Sequence, residues 1–229
     1  MKLLNIDQNS KTVKGQKLFY MTGIMYLAPA KLSGYEVCPM STAGCRAACL
    51  NTAGRAVFKT VQSARVTRTR FFFEDRVAFM NQLVKEIDAL IVKAVQNDML
   101  PVVRLNGTSD IVWETVRDWN DENKSIMEYY PGLTFYDYTK RHNRKNLPAN
   151  YSLTYSLAED NDASAQVALA NGANVAVVFR TNKYPQTFLG VPVFDGDQTD
   201  LRFLDPKNVV IGLYAKGPAK KDTSGFVRD

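Results

Sequence analysis

The chain has 229 residues, 45% of them hydrophobic, and a net charge of +6. That is enough for one domain of the barrel or open-sheet kind with a sizeable core. No stretch approaches the ~20 apolar residues of a membrane span, and residues 1–17 lack the apolar centre of a secretory signal, so a soluble, cytoplasmic protein is expected. The excess of cations suits a polyanionic partner or an anionic small ligand, and equally a surface charged for solubility.

Lys17–Leu27 reads as a strand, with Leu18, Tyr20, Ile24 and Tyr26 as its apolar anchors. A loop carrying the three cysteines follows. Over Thr60–Asn97 the residues Val77, Met80, Val84, Ile87, Ile91 and Ala94 recur at spacings of three and four, which predicts helix, broken or bent near Glu74–Asp75. Pro101–Leu105 is a short apolar run of the buried parallel kind. Asn106–Asp110 suits a turn and helix cap, with Ile111–Asn120 continuing as helix. Leu133–Tyr138 and Tyr151–Leu157 are further strands. Asn161 or Asp162 is placed to cap a helix over Ala163–Asn171, and Gly172 to end it. Val175–Phe179 is the clearest buried strand, and Val191–Phe194 and Val209–Leu213 close the series.

Strands alternating with helices imply right-handed βαβ units and a mainly parallel sheet. Six or so strands with fewer helices predict a single α/β domain over residues 1–229, built as a partial, open parallel β/α barrel. A doubly wound sheet is the alternative. Either way the chemistry is expected beyond the C-terminal ends of the strands.

Cys38, Cys45 and Cys49 fall within twelve residues, in the spacing C-x6-C-x3-C. In a reducing compartment such a cluster favours metal binding or redox work over disulfides. Cys45 and Cys49 are four apart, so a helical turn would set them on one face. Thiolates select zinc and iron–sulfur clusters. A closed zinc site needs four protein ligands, and the chain has one histidine, His142. A cubane can instead be held by three cysteines with an outside ligand on its fourth iron. The expectation is a [4Fe-4S] cluster, with zinc, and with buried thiols that bind nothing, as alternatives.

A second constellation is formed by polar residues at successive strand ends. Arg104, Asn106, Gly107, Ser109 and Asp110 follow one strand. Asp137, Thr139 and Lys140 follow the next, then Ser156, Glu159 and Asp160, then Arg180. In a parallel sheet these would converge on one cavity, although turns and caps use the same residue types. Asp195–Arg202 holds three carboxylates in six residues. It reads as a turn with Asp–Arg pairing or as a divalent cation site, without the final glutamate of an EF-hand. Ala215–Gly225 is a glycine- and lysine-bearing tail, expected to close over the sheet. Lys140, Arg141, Arg144 and Lys145 form a basic run, and Arg65, Arg68 and Arg70 lie near Phe71–Phe73. Basic residues beside aromatics suit weak nucleic-acid binding, or an ordinary solvated loop and helix.

With a cysteine loop after its first strand and an α/β series behind it, the chain resembles the radical S-adenosylmethionine (SAM) enzymes. That family uses three loop cysteines, usually spaced C-x3-C-x2-C, to bind a [4Fe-4S] cluster whose open iron takes SAM. The resemblance implies that Asn106-Gly107 corresponds to the motif contacting the SAM amino group, and the Ser156–Glu159 stretch to later SAM contacts. More closely, the whole chain resembles the phage gene-product-eighty-eight proteins. Tyr26-Leu27-Ala28-Pro29-Ala30, Cys38-Pro39, Gly44-Cys45, Ala48-Cys49-Leu50, Asp195–Asp205 and Lys216-Gly217 carry that likeness. It implies a viral protein acting in the host cytoplasm. Members are sometimes labelled rolling-circle replication initiators, but no His-x-His pair is present to hold the metal such initiators use.

The combined expectation is an iron–sulfur protein with redox or radical chemistry on a small molecule at the open iron, drawing on an unnamed electron donor. The alternative is a replication-associated nucleic-acid-binding protein with a structural metal site.

Overall fold

The computed structural model describes residues 1–6 and 10–229. Strand β1 (Leu4–Ile6) and helix α1 (Ser10–Gln16) precede β2 (Tyr20–Met25). The cysteine loop follows, with a short helix α2 (Ala43–Ala47). Next come α3 (Lys59–Glu74), α4 (Arg76–Gln96), β3 (Leu100–Arg104), α5 (Ile126–Tyr129) and β4 (Thr134–Thr139). They are followed by β5 (Tyr151–Ser156), α6 (Asp162–Ala170) and β6 (Val175–Phe179). The remaining strands are β7 (Thr187–Phe188), β8 (Val191–Asp195), β9 (Val210–Tyr214) and β10 (Val227–Arg228). Among the described residues no helix is long and apolar enough to cross a membrane.

The strands make one mostly parallel, ten-stranded sheet that does not close, in the order β1-β2-β3-β4-β5-β6-β9-β8-β7. Only β1 on β2 and β7 on β8 are antiparallel. From β2 to β6 the sheet follows chain order without the reversal that a doubly wound sheet requires. β10 lies off this path and pairs with β6.

The helix expected over Thr60–Asn97 forms as two, and its break falls at Asp75, whose carboxylate caps α4 by accepting from Ala78 N at 3.1 Å. Phe79, Met80, Leu83, Ile87, Leu90 and Ala94 then form a buried stripe on one face of α4. Each of the larger side chains in it contributes about 1.5–3 kcal/mol on burial. The stripe packs with Met21, Met25, Val103 and Phe135 from the sheet. Gly23 permits this approach, since a Cβ there would stand 2.8 Å from Leu90 Cδ2. Beyond it, α6 covers β5, β6 and β9 through Ala165, Ala168 and Leu169.

Ile111–Asn120 does not form the expected helix. Only the 3-10 turn Trp113–Thr115 is regular. The Asn106 side-chain carbonyl accepts from Ser109 Oγ, Ile111 N and Trp113 Nε1 at 2.8, 3.0 and 3.1 Å. Those bonds compete with a helical ladder, while Trp113, Val116 and Trp119 are drawn into the core. The first parallel strand is also shorter than expected, because Phe19 turns to φ 61° just before it. Asn161 stands at the N-cap of α6 but gives it no side-chain bond, accepting instead from Ala158 N at 2.7 Å. Gly172, at φ 81°, ends that helix as expected.

One discontinuity positions the site. β5 pairs with β6 only at Tyr155–Ser156, opposite Val175–Ala176. Beyond that point β10 takes the same side of β6, opposite Val178 and Phe179. β5 therefore diverges at its C-terminal end, and its continuation, Ala158–Glu159, turns towards the cysteine loop.

Candidate functional site

The cysteine loop leaves β2 at its C-terminal end, the edge where open α/β sheets place ligands. Cys38, Cys45 and Cys49 are free thiols, all half-buried. Thr42 caps α2, its hydroxyl accepting from Cys45 N at 3.1 Å. The helix ends at Ala47, so Cys45 and Cys49 do not share one continuing helical face. Cys49 opens a 3-10 turn instead, and its Sγ accepts from Asn51 N at 3.5 Å. Cys38 Sγ lies 3.6 Å from the carbonyl oxygen of Thr108.

The three thiols influence one another electrostatically. Burial pushes the Cys38 thiol up to about 12, with the Cys49, Cys45 and Asp110 charges adding to the rise and the Ala30 amide opposing it. Burial also raises Cys49, and Cys45 adds to this. The Asn51 amide, Arg65 and Lys140 pull it the other way. Arg65 and Lys140 lie near enough to Cys49 for their charges to favour its thiolate.

Three supports hold the loop. The first is α3, whose Gln62, Arg65 and Thr69 lie on one face. Thr69 Oγ1 accepts from Ala28 N at 2.9 Å where the loop begins. Asn51, just past Cys49, gives its Nδ2 to Gln62 Oε1 at 2.9 Å and receives Arg65 Nη1 on its Oδ1. The second is Glu159. Its carboxylate accepts from Thr42 Oγ1 and from Gly44 N, each at 2.6 Å. Burial would raise its pKa, but the Thr42 hydroxyl, its own backbone amide and the Gly44 amide together outweigh that and hold it below the usual range. The third is the tail expected to close over the sheet. It packs Ala215, Ala219 and Phe226 around Ala48 and Cys45. It fits so closely that a Cβ on Gly44 would stand 2.1 Å from Ser224 Oγ.

Most residues expected to line a cofactor cavity are engaged within the protein. Gly107 N donates to Met25 O at 3.0 Å, and Asp110 N to Val37 O at 2.7 Å, stitching this segment to the cysteine loop. The Asp110 carboxylate accepts from Thr139 Oγ1 and Lys140 N at 2.8 and 3.0 Å. Ser109 bonds Asn106. Ser156 Oγ receives Lys140 Nζ at 2.8 Å. Glu159 braces the loop. Arg180 pairs with Asp229, just past the C-terminal end of β10. Asp137 is fully buried, and burial pushes it up to about 7 against the pull of Arg104, the Asn106 amide and the Tyr151 hydroxyl.

The basic run Lys140–Lys145 is not one exposed patch. Arg144 is buried against Glu114, with Nε to Oε1 at 2.8 Å, and Lys140 faces Ser156. Arg141 is half-buried, and Lys145 and His142 are exposed. Arg65 is inside the molecule too, not on a basic surface. In the Asp195–Arg202 segment the Asp–Arg pairing is realised: Asp200 meets Arg104 at 2.7 Å, and Arg202 meets Asp205 at 3.2 Å. Among the described residues no group of three His, Cys, Asp or Glu is arranged to hold a metal ion.

Sequence reasoning missed Asn51, Gln62 and Thr42 as supports of the site. Thr42 has a recognisable capping signal ahead of Cys45. The Gln62/Arg65/Thr69 face is legible as a helix face, but not its target.

The sequence profile of gene product 88 matches residues 2–229, and the chain belongs to that phage protein family. No curated protein matches it significantly. No solved structure does either.

Proposed function

We propose that this phage protein binds a [4Fe-4S] cluster through Cys38, Cys45 and Cys49, leaving one iron open to a small-molecule ligand for redox or radical chemistry. The observation that carries the reading is the gathering of three free thiols beside two cations, in a loop pinned from three sides. The donor set fits: thiolates are the ligands of such clusters. The chain offers three cysteines and a single histidine, the exposed His142, so its own residues do not complete a closed four-ligand zinc site. A cubane would take the three thiolates and an outside ligand on its fourth iron. When bound, the cluster supplies one-electron chemistry. The chain's own part is to hold the thiolates, exclude water through Ala48, Ala219 and Phe226, and set the local charge.

Sequential parallel strands, with the cysteine loop after the first of them, support reading the sheet as an open barrel of the radical SAM kind. SAM then becomes the natural ligand for the open iron. We place the protein in the host cytoplasm, where thiols stay reduced. Anaerobically prepared protein should hold about four irons and four sulfides per chain, and replacing any one of the three cysteines by alanine should bleach it. Stoichiometric zinc without sulfide would overturn the reading. Electron paramagnetic resonance of the reduced protein with and without millimolar SAM tests the finer step, and an unchanged spectrum with no binding would remove it.

A further inference from the structure

Among the fully buried arginines, Arg65, Arg104 and Arg202 are 6%, 8% and 3% exposed. Arg104 is neutralised by Asp200 and Arg202 by Asp205. Arg65 has no carboxylate partner among the described residues. Its Nη1 reaches the neutral Asn51 side chain, its guanidinium lies 4.8 Å from the centre of the Tyr26 ring, and its Nε is buried with no hydrogen-bond partner. A buried charge left without a counter-charge is strongly disfavoured, so proteins pair it or supply an anionic ligand. What Arg65 does have is the cysteine site: Asn51, which it holds, gives its amide to Cys49 Sγ.

We infer that Arg65 is the resident counter-charge of the cysteine site and, as a positioning residue, sets how readily the group bound there is reduced. The inference rests on the cluster reading above. A cubane held by three thiolates carries net negative charge whether oxidised or reduced, and supplies the anion that Arg65 lacks. Net charge and hydrogen bonding around a cluster set its potential. A fixed cation favours the more negative, reduced state. Lys140 is a second cation whose charge acts on Cys49, its Nζ on Ser156 and 5.6 Å from the centre of the Phe226 ring. Burial lowers the Arg65 pKa while the Tyr26 and Cys49 charges oppose that, as expected of a cation stabilised from the cysteine side.

The test uses the full chain, prepared anaerobically, as wild type, Arg65→Met, Arg65→Gln and Arg65→Lys. Iron and sulfide are measured first. Dithionite titration followed by electron paramagnetic resonance then gives the midpoint potential. Both neutral variants should fall by about 59 mV, a tenfold change in a one-electron equilibrium, while Arg65→Lys stays near wild type. A wild-type potential in either neutral variant at full cluster content overturns the inference and leaves the cluster reading standing. Wild-type protein without iron and sulfide overturns both.

Discussion

Glu159 ties the end of β5 to the cysteine helix, and removing its carboxylate tests whether that tie orders the site. The two bonds to Thr42 Oγ1 and Gly44 N are charge-assisted and short, at 2.6 Å each. Glu159 is only half-buried, so solvent screening brings each bond to about 1–1.5 kcal/mol, at or below the foot of the ~1.5–3 kcal/mol range for charged acceptors. Glu159→Ala should therefore loosen the loop by about 2–3 kcal/mol. Amide exchange at Gly44 and Cys45 should rise on the order of 10², while the α4 core keeps its protection. Glu159→Gln keeps one acceptor and should show about half the effect in free energy, near tenfold in exchange. Hydrogen exchange with mass or NMR readout resolves the two regions, and anaerobic iron content should fall in the same order as protection. Unchanged exchange over residues 42–49 in Glu159→Ala, with undiminished iron, would refute the bracing argument. A uniform loss across α4 would instead show global destabilisation.

Gly107→Ala should cost about 2 kcal/mol or more, because its Cβ would stand 2.5 Å from the Met25 carbonyl oxygen and 2.6 Å from Tyr26 Cδ1, with backbone on one side; a thermal melt checks it, and a wild-type Tm contradicts it. Arg144→Ala strands the buried Glu114 and should cost about 3–5 kcal/mol, whereas Lys145→Ala at the exposed end of the same run should stay within about 0.5 kcal/mol, compared by urea melts. The Arg117 hydrogen bond, then the Ser125 amide, hold the Glu128 carboxyl down to about 2 from 4.5. A carboxyl depressed in the folded state adds stability that is full above its unfolded pKa and lost as pH falls through the folded one. NMR titration of Glu128 should show the low midpoint, Arg117→Ala should raise it, and the exposed pair's share of stability should be under about 1 kcal/mol. Nucleic-acid binding, if measured by anisotropy across a salt series, should be weak and fall steeply with salt. Because Arg144 is internal, the informative variant is the Arg141/Lys145 pair, and tight binding that persists at high salt would revive a replication role.

What the sequence made legible was what local periodicity encodes. The α4 stripe, the break at Asp75 and the buried runs at Pro101–Leu105 and Val175–Phe179 each repeat at a spacing that a helix or a two-sided strand imposes. The missing pieces depend on partners far along the chain. Ile111–Asn120 has helical composition, yet a single side chain, Asn106, collects three donors and folds the segment around itself. β1 and β10 are too short to announce themselves and exist because β2 and β6 offer free edges. Charge runs misled for a related reason: Arg65 and Arg144 sit among other cations in sequence but face inward, towards Asn51 and Glu114.

The cysteine site shows the same division. The three cysteines could be picked out from their spacing alone, but what holds them in place could not. A loop between β2 and α3 with so little regular structure cannot order itself against its own conformational entropy. It is ordered by the bonds that reach it. Thr69 fixes Ala28, Arg65 and Gln62 fix Asn51, and Thr108 approaches Cys38. Glu159 closes the longest span, 117 residues from Thr42. Two of these, from Thr108 and Glu159, come from beyond the C-terminal ends of β3 and β5, so the loop is fully held only once the parallel sheet has formed. If the loop holds the proposed cluster, a site assembled this way is coupled to global folding. Ligand release and sheet opening should then share one transition in the loaded protein, whereas a self-contained cysteine loop would release its metal without disturbing α4.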